Sequence, residues 1–154
     1  MTPTKSKTLA TWIALIGGPL GLHRFYLGNL RDSWGWVHAG LTFLGVLGVQ
    51  RVLELGQDDR LAWLLMPLGG LSLVAAMGTA IYHGLRGDDA WNATYNAGAR
   101  PSPSTGWQAV MAVVIALLIG ATTMLSVISF SLQRYFELER EASRAAEHST
   151  AEPK

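Results

Sequence analysis

Three histidines are the residues of this chain best suited to chemistry in an apolar setting: His23, His38 and His83. Each lies within one or two turns of the end of an apolar stretch. An imidazole so placed can ligate haem or a metal, or relay a proton. No pair of them has a metal-ligand spacing. Cysteine is absent, which removes thiolate metal sites, cysteine nucleophiles and disulfides. Haem held between His38 and His83 therefore stands behind a plainer reading, hydrogen bonding between helices or at the membrane surface.

A second group, Asp88, Asp89, Trp91, Asn92, Tyr95 and Asn96, offers carboxylate and amide oxygens to a cation. It lacks the graded oxygen ligands of a calcium loop. The preferred reading is an interfacial lid, with Trp91 and Tyr95 in the headgroups and the carboxylates in water. Asn92-Ala93-Thr94 also fits a glycosylation sequon, which matters only in a secretory pathway. There is no Gly-x-Ser-x-Gly, no His-Glu-x-x-His and no phosphate-binding glycine loop with its lysine. No catalytic residue, cofactor or metal is assigned, and the protein is read as a non-enzyme. With a net charge of +1 and no basic cluster, nucleic acid is not an expected partner.

The elements that must position these residues follow from where charge is missing. All eleven acidic residues fall outside the uninterrupted apolar runs. A bilayer imposes this partition, because an unpaired charge in hydrocarbon is costly. Four apolar segments result. Leu9–Leu22 has 14 residues and covers about 21 Å of a core about 30 Å thick, so it spans only if it continues through Phe25 and Leu27. Gly17, Gly18 and Pro19 kink it or end it early. Trp34–Leu55 is apolar as far as Val49. Leu61–Leu85 is long enough to cross, with a bend expected near Pro67. Trp107–Leu132 carries no proline or charge and is the clearest span.

The fold class is therefore an all-α integral membrane bundle of about four transmembrane helices. Residues 1–8 are polar and residues 9–86 hold three apolar segments. Residues 87–106 are a polar and aromatic loop, and 107–132 add a further span. Residues 133–154 form a charged helix leaving the membrane. The first segment reads as a retained span, since no small-x-small cleavage site follows it. Trp34, Trp36, Trp63, Trp107, Tyr135 and Phe136 fall at segment ends, as rings at headgroup level do.

With four crossings and both termini in the cytoplasm, Lys5, Lys7, Arg51, Arg60, Arg134, Arg140, Arg144 and Lys154 lie inside. Arg24, Arg31, Arg86 and Arg100 then lie outside, the arrangement the positive-inside rule prefers.

Small residues recur every four positions: Ser72, Ala76, Ala80 and Gly84 on one segment, Ala112, Ala116 and Gly120 on another. Such stripes let helix backbones approach closely in lipid. Packing within the bundle is the first reading and self-association the second.

The residues Gly21-Leu22-His23-Arg24-Phe25-Tyr26-Leu27-Gly28 form a corner. Gly21 admits a neighbour, His23 and Arg24 reach an interface, and Phe25, Tyr26 and Gly28 close the turn. Asp32, Asp88 or Asp89 are the acids open to Arg24. This octapeptide resembles the signature of the TM-two domain family, small bacterial-type membrane proteins with two closely linked spans. Ala80-Ile81-Tyr82-His83-Gly84-Leu85, with Asp88, Trp91, Asn92, Tyr95 and Asn96, is similar to an ending found in bacterial members. The resemblance implies a membrane location and roles in signalling or assembly, without an agreed biochemical activity. The expected function is a membrane interaction or assembly module, with the lipid bilayer and other membrane proteins or itself as partners. The alternative is a small transporter or channel with a polar path past His38, Thr42 and His83.

Overall fold

The computed structural model describes residues 4–151, with side chains through residue 147. Its helices are α1 (Lys7–Gly17), α2 (Leu22–Leu27), α3 (Ser33–Leu55), α4 (Arg60–Leu85), α5 (Asp88–Tyr95) and α6 (Trp107–Ala151), with a 3-10 turn at Gly18–Leu20. Side chains start three of them. Ser6 accepts from the N–H of Leu9, Asp32 from that of Trp34 and Asp59 from that of Ala62. Each satisfies a donor that a helix start leaves open. Helices α3, α4 and α6 are long and apolar enough to cross a membrane. Pro67 lies inside α4, and the helix continues through it. The clearest span and the charged segment after it are one helix, α6.

The first apolar segment does not run from one end of the bundle to the other. The N–H of Ser6 donates to the Tyr26 hydroxyl at 2.9 Å, and Lys5 Nζ donates to the Leu27 carbonyl. The start of α1 and the end of α2 therefore lie side by side. Between them the chain turns back at Gly17–Gly21, where Gly18 lies against Ala76 in the body of α4. Eleven residues of α1 reach about 16 Å inward, roughly half of a hydrocarbon core. The turn needs Gly21, whose φ is 75°, and a Cβ there would lie 2.1 Å from the Gly35 carbonyl oxygen.

The expected fourth crossing is thus a helical hairpin entering from one end. Three long helices then leave residue 5 and the end of α6 at opposite ends of the bundle. The charge count that favoured both termini on one side loses its basis. Lys5, Lys7, Arg24, Arg31, Arg86 and Arg100 gather at the hairpin end, against Arg51, Arg60, Arg134, Arg140 and Arg144 at the other, and Lys154 lies outside the described residues.

Helix α4 is the centre, packing on α1, α3 and α6. Its antiparallel contact with α6 repeats every seven residues. A Cβ on Gly84 would strike Val113, one on Gly120 would strike Met77, and one on Gly70 would strike Val127. One step further, the Arg134 guanidinium lies 4.7 Å from the Trp63 ring centroid. A seven-residue repeat of knobs into glycine gaps is the register of a left-handed helix pair. On the other side of α4, Gly69 meets Gly45 of α3 backbone to backbone, closely enough that a Cβ on either would fall within 2.6 Å of the other's Cα.

The interior is small and the exterior large. Ala10, Ala14, Ala76, Ala80, Ala112 and Ala116 are fully buried, whereas Phe43, Leu53, Leu64 and Leu118 face outward. Lipid, not water, is the solvent that suits such a surface. The alanine stripes are consumed inside the chain, Ala76 and Ala80 with Ala112 and Ala116 in one cluster. They are not an open face for a second copy.

Two outcomes check this. Because the chain lacks cysteine, single cysteines at Thr4, Asn29 and Ser104 should react with an impermeant maleimide from one side of sealed vesicles, and Gln57→Cys and Ser143→Cys from the other. A crossing first segment would instead separate Thr4 from Asn29. Second, Ala116→Leu should overpack the cluster and cost about 1–3 kcal/mol of bundle stability, read by unfolding in mixed micelles, with loss of the monomer fold and not of an oligomer alone.

Candidate functional site

Turning a helix back inside a bilayer exposes carbonyls that neither lipid nor their own helix can satisfy. The Pro19 carbonyl is one, and side chains from both neighbouring helices meet it. Thr42 Oγ1 donates to it at 2.6 Å, and Ser72 Oγ lies 3.3 Å away. The two hydroxyls are 3.1 Å apart, and His38 Nδ1 lies 3.0 Å from Ser72 Oγ. His38 thus makes the bond between helices expected for it. The His23 ring stands edge-on to His38 with centroids 5.3 Å apart, itself fully buried. Thr42 and Ser72 occupy facing positions of α3 and α4. The sequence showed Ser72 only as one more small residue in a stripe.

The signature residues each have a mechanical task. Phe25 covers Gly35, where a Cβ would lie 2.3 Å from the ring, and stacks obliquely on Trp36 at 5.4 Å. Tyr26 holds Ser6, and the Gly28 N–H donates to the Arg24 carbonyl at 2.8 Å. Arg24 pairs with Asp32 at 3.0 Å, so the open question of its acid resolves within the same loop. The Arg24 side chain, then the N–H of Trp34, hold the Asp32 carboxyl below its ordinary range. Asp88 has another partner.

The loop after α4 is not a surface lid. Residues 88–95 form α5, with Asp88 and Asp89 in its first turn, where carboxylates suit the helix dipole. That pattern was present in the sequence, obscured by the loop-like residues after it. Trp91 is fully buried, edge-on to His83 at 5.4 Å, and its indole N–H donates to the Lys5 carbonyl at 2.9 Å. Asn96 grips Lys5 from both sides, accepting from its N–H at 2.8 Å and donating to its carbonyl at 3.1 Å. The Asn92 amide oxygen accepts from Asn96 and from the N–H of Ser102, both at 2.8 Å. Lys7, also buried, donates to the Arg86 carbonyl and pairs with Asp88, each at 2.6 Å. The Asn96 oxygen and one oxygen of Asp88 are spent on the start of α1, and that of Asn92 on Asn96 and Ser102. Among the described residues no three His, Asp or Glu side chains are grouped to hold a metal ion.

Beside this clasp lies an open cleft of about 370 Å³ at the hairpin end, walled by Arg24, Asp32, Thr79, Tyr82, His83 and Tyr95 among others. Two buried atoms of its wall residues, Arg24 Nε and His83 Nδ1, have no hydrogen-bond partner. His23 Nδ1 is likewise buried and unpartnered. Elsewhere in the bundle only the Arg134 Nε shares that state among the described residues. The Arg134 guanidinium lies over Trp63 and Phe130 and pairs with Glu137. The cleft is the best candidate site. Asp32 was visible in the sequence as an acid open to Arg24 and His83 as an isolated residue, and the turned-back hairpin brings Arg24 to the same cleft as His83.

No family model matches the chain, and comparison with curated proteins and with solved structures gives no match either.

The clasp titrates. The Lys7 ammonium, then the Thr105 hydroxyl and N–H, hold the Asp88 carboxyl at about 2, below its ordinary 3.8. A depressed carboxyl stabilises the fold above its unfolded value, and this is lost as pH falls through the folded one. Asp88→Asn should therefore cost about 1–3 kcal/mol near neutral pH by leaving the Lys7 charge buried without its partner. The gap between variant and wild type in thermal unfolding should close between about pH 4 and pH 2, as wild-type Asp88 itself becomes neutral.

Proposed function

We propose that this is a multi-pass, non-enzymatic protein of a bacterial inner membrane that binds and organises other membrane proteins or further copies of itself. The observation that carries the reading is the length of α6, 45 residues from Trp107 to Ala151. Its last ion pair to α4 joins Glu141 to Arg60 at 3.5 Å. The helix then continues to Ala151, with residues 142–147 exposed and Arg144 and Glu147 among them. An exposed helix end that runs on past its apolar span suits contact with another chain. The resemblance of residues 21–28 to the TM-two signature supports a role in assembly or signalling. It also supports treating Gly21, His23, Arg24, Phe25, Tyr26 and Gly28 as the parts that shape the module.

A transporter or channel past His38, Thr42 and His83 has less support. His38, Thr42 and Ser72 are engaged with one another and with Pro19. The groove beyond them is lined mainly by apolar residues such as Val46, Val49, Met66 and Leu73.

Removing the chain after Ala142 gives the test. In mild detergent the full-length protein should migrate as an assembly larger than one chain, and the shortened protein as a monomer with unchanged thermal stability. A full-length protein that is monomeric in several mild detergents, and gives no cross-linked product in its native membrane, would count decisively against the reading.

A further inference from the structure

The cleft at the hairpin end is built to hold a negatively charged acceptor. Arg24 lines it with a side chain that is 41% exposed and whose Nη2 pairs with Asp32. His83, only 5% exposed, is a further wall residue. The hydroxyls of Thr79, Tyr82 and Tyr95 belong to the other wall residues. At the rim the Arg86 guanidinium lies over the Tyr82 and Tyr95 rings, 5.8 and 5.6 Å from their centroids. Lys5 Nζ meets the carbonyl of Leu27, another wall residue. The acid on the wall is Asp32, since Asp88 is committed to Lys7. On the wall itself stand one cation and one carboxylate, and Arg86 and Lys5 add positive charge at the rim.

The Arg24 guanidinium on this wall, with further cations at the rim, selects an anion, and a phosphate group offers a guanidinium several acceptor oxygens. Depth narrows the source. The cleft opens where α2 ends and α3 begins, at the level of the exposed Trp34 and Trp36 rings, and such rings mark the headgroup layer. We propose that this cleft binds the phosphate of an anionic phospholipid headgroup, with Arg24 as its principal contact. The proposal rests on the membrane location and is independent of whether α6 engages a protein partner.

The experiment uses full-length protein in a mild detergent and counts bound molecules by native mass spectrometry. Phosphatidylglycerol, phosphatidylcholine and inorganic phosphate are titrated separately. Wild type should retain one phosphatidylglycerol in preference to phosphatidylcholine. Arg24→Gln should bind it about ten- to a hundredfold more weakly, the loss of one hydrogen bond to a charged group. Should Arg24→Gln fail to fold, Thr79→Leu fills the cleft from the α4 wall without touching the Arg24–Asp32 pair, and it should produce a similar loss. Equal retention of phosphatidylglycerol by wild type and a folded variant would overturn the proposal. So would equal retention of the two lipids by wild type. Binding of inorganic phosphate without phosphatidylglycerol would overturn the lipid as source.

Discussion

The carbonyl of Pro19 is the point on which this bundle depends. A helix that stops partway into an apolar medium leaves main-chain groups that must find partners inside the protein. Here two hydroxyls, Thr42 from α3 and Ser72 from α4, supply them. That requirement sets the spacing of the two helices around the turn. It is compatible with a tight crossing because Gly45 and Gly69, one turn deeper, let the backbones touch. A bulkier pair there would push the hydroxyls away from the carbonyl they serve.

The same turn organises the hairpin end. Since α2 returns beside the start of α1, the main-chain groups of Lys5 and Ser6 come within reach of Tyr26, Trp91 and Asn96. A segment that resembles a loose connection is therefore a clasp, which fixes the position of α5 and covers one side of His83. The other side faces the cleft, where Arg24 arrives on the returning helix. The Arg24–Asp32 pair is half exposed and contributes little as an ion pair alone. Its larger effect is orientation, because it holds the guanidinium at the cleft wall.

Away from that end the chain relies on size complementarity. Gly84, Gly70 and Gly120 each receive a larger residue from the facing helix at seven-residue intervals. Dispersion between closely fitted surfaces replaces the hydrophobic drive that lipid removes. The large side chains are left to face outward.

The all-helical class, the three long apolar helices, the polar joints and the small-residue stripes were legible from composition and periodicity, because a bilayer penalises charge and irregular backbone wherever they occur. The break at Gly17–Pro19 was legible too, but not its consequence. A kinked crossing and a turned-back hairpin share the same glycines, and the contacts of Ser6 with Tyr26 and of Lys5 with Leu27 distinguish them. Trp91 illustrates the same limit. An aromatic ring between polar residues reads as a headgroup anchor, yet a distant main-chain carbonyl, that of Lys5, draws it inside. Sequence alone determined which residues must avoid water and where the helix had to break. Tertiary structure decided which distant groups would satisfy the broken backbone, and therefore where Arg24 and His83 would meet, because hydrogen bonds between segments depend on distances that no local pattern encodes.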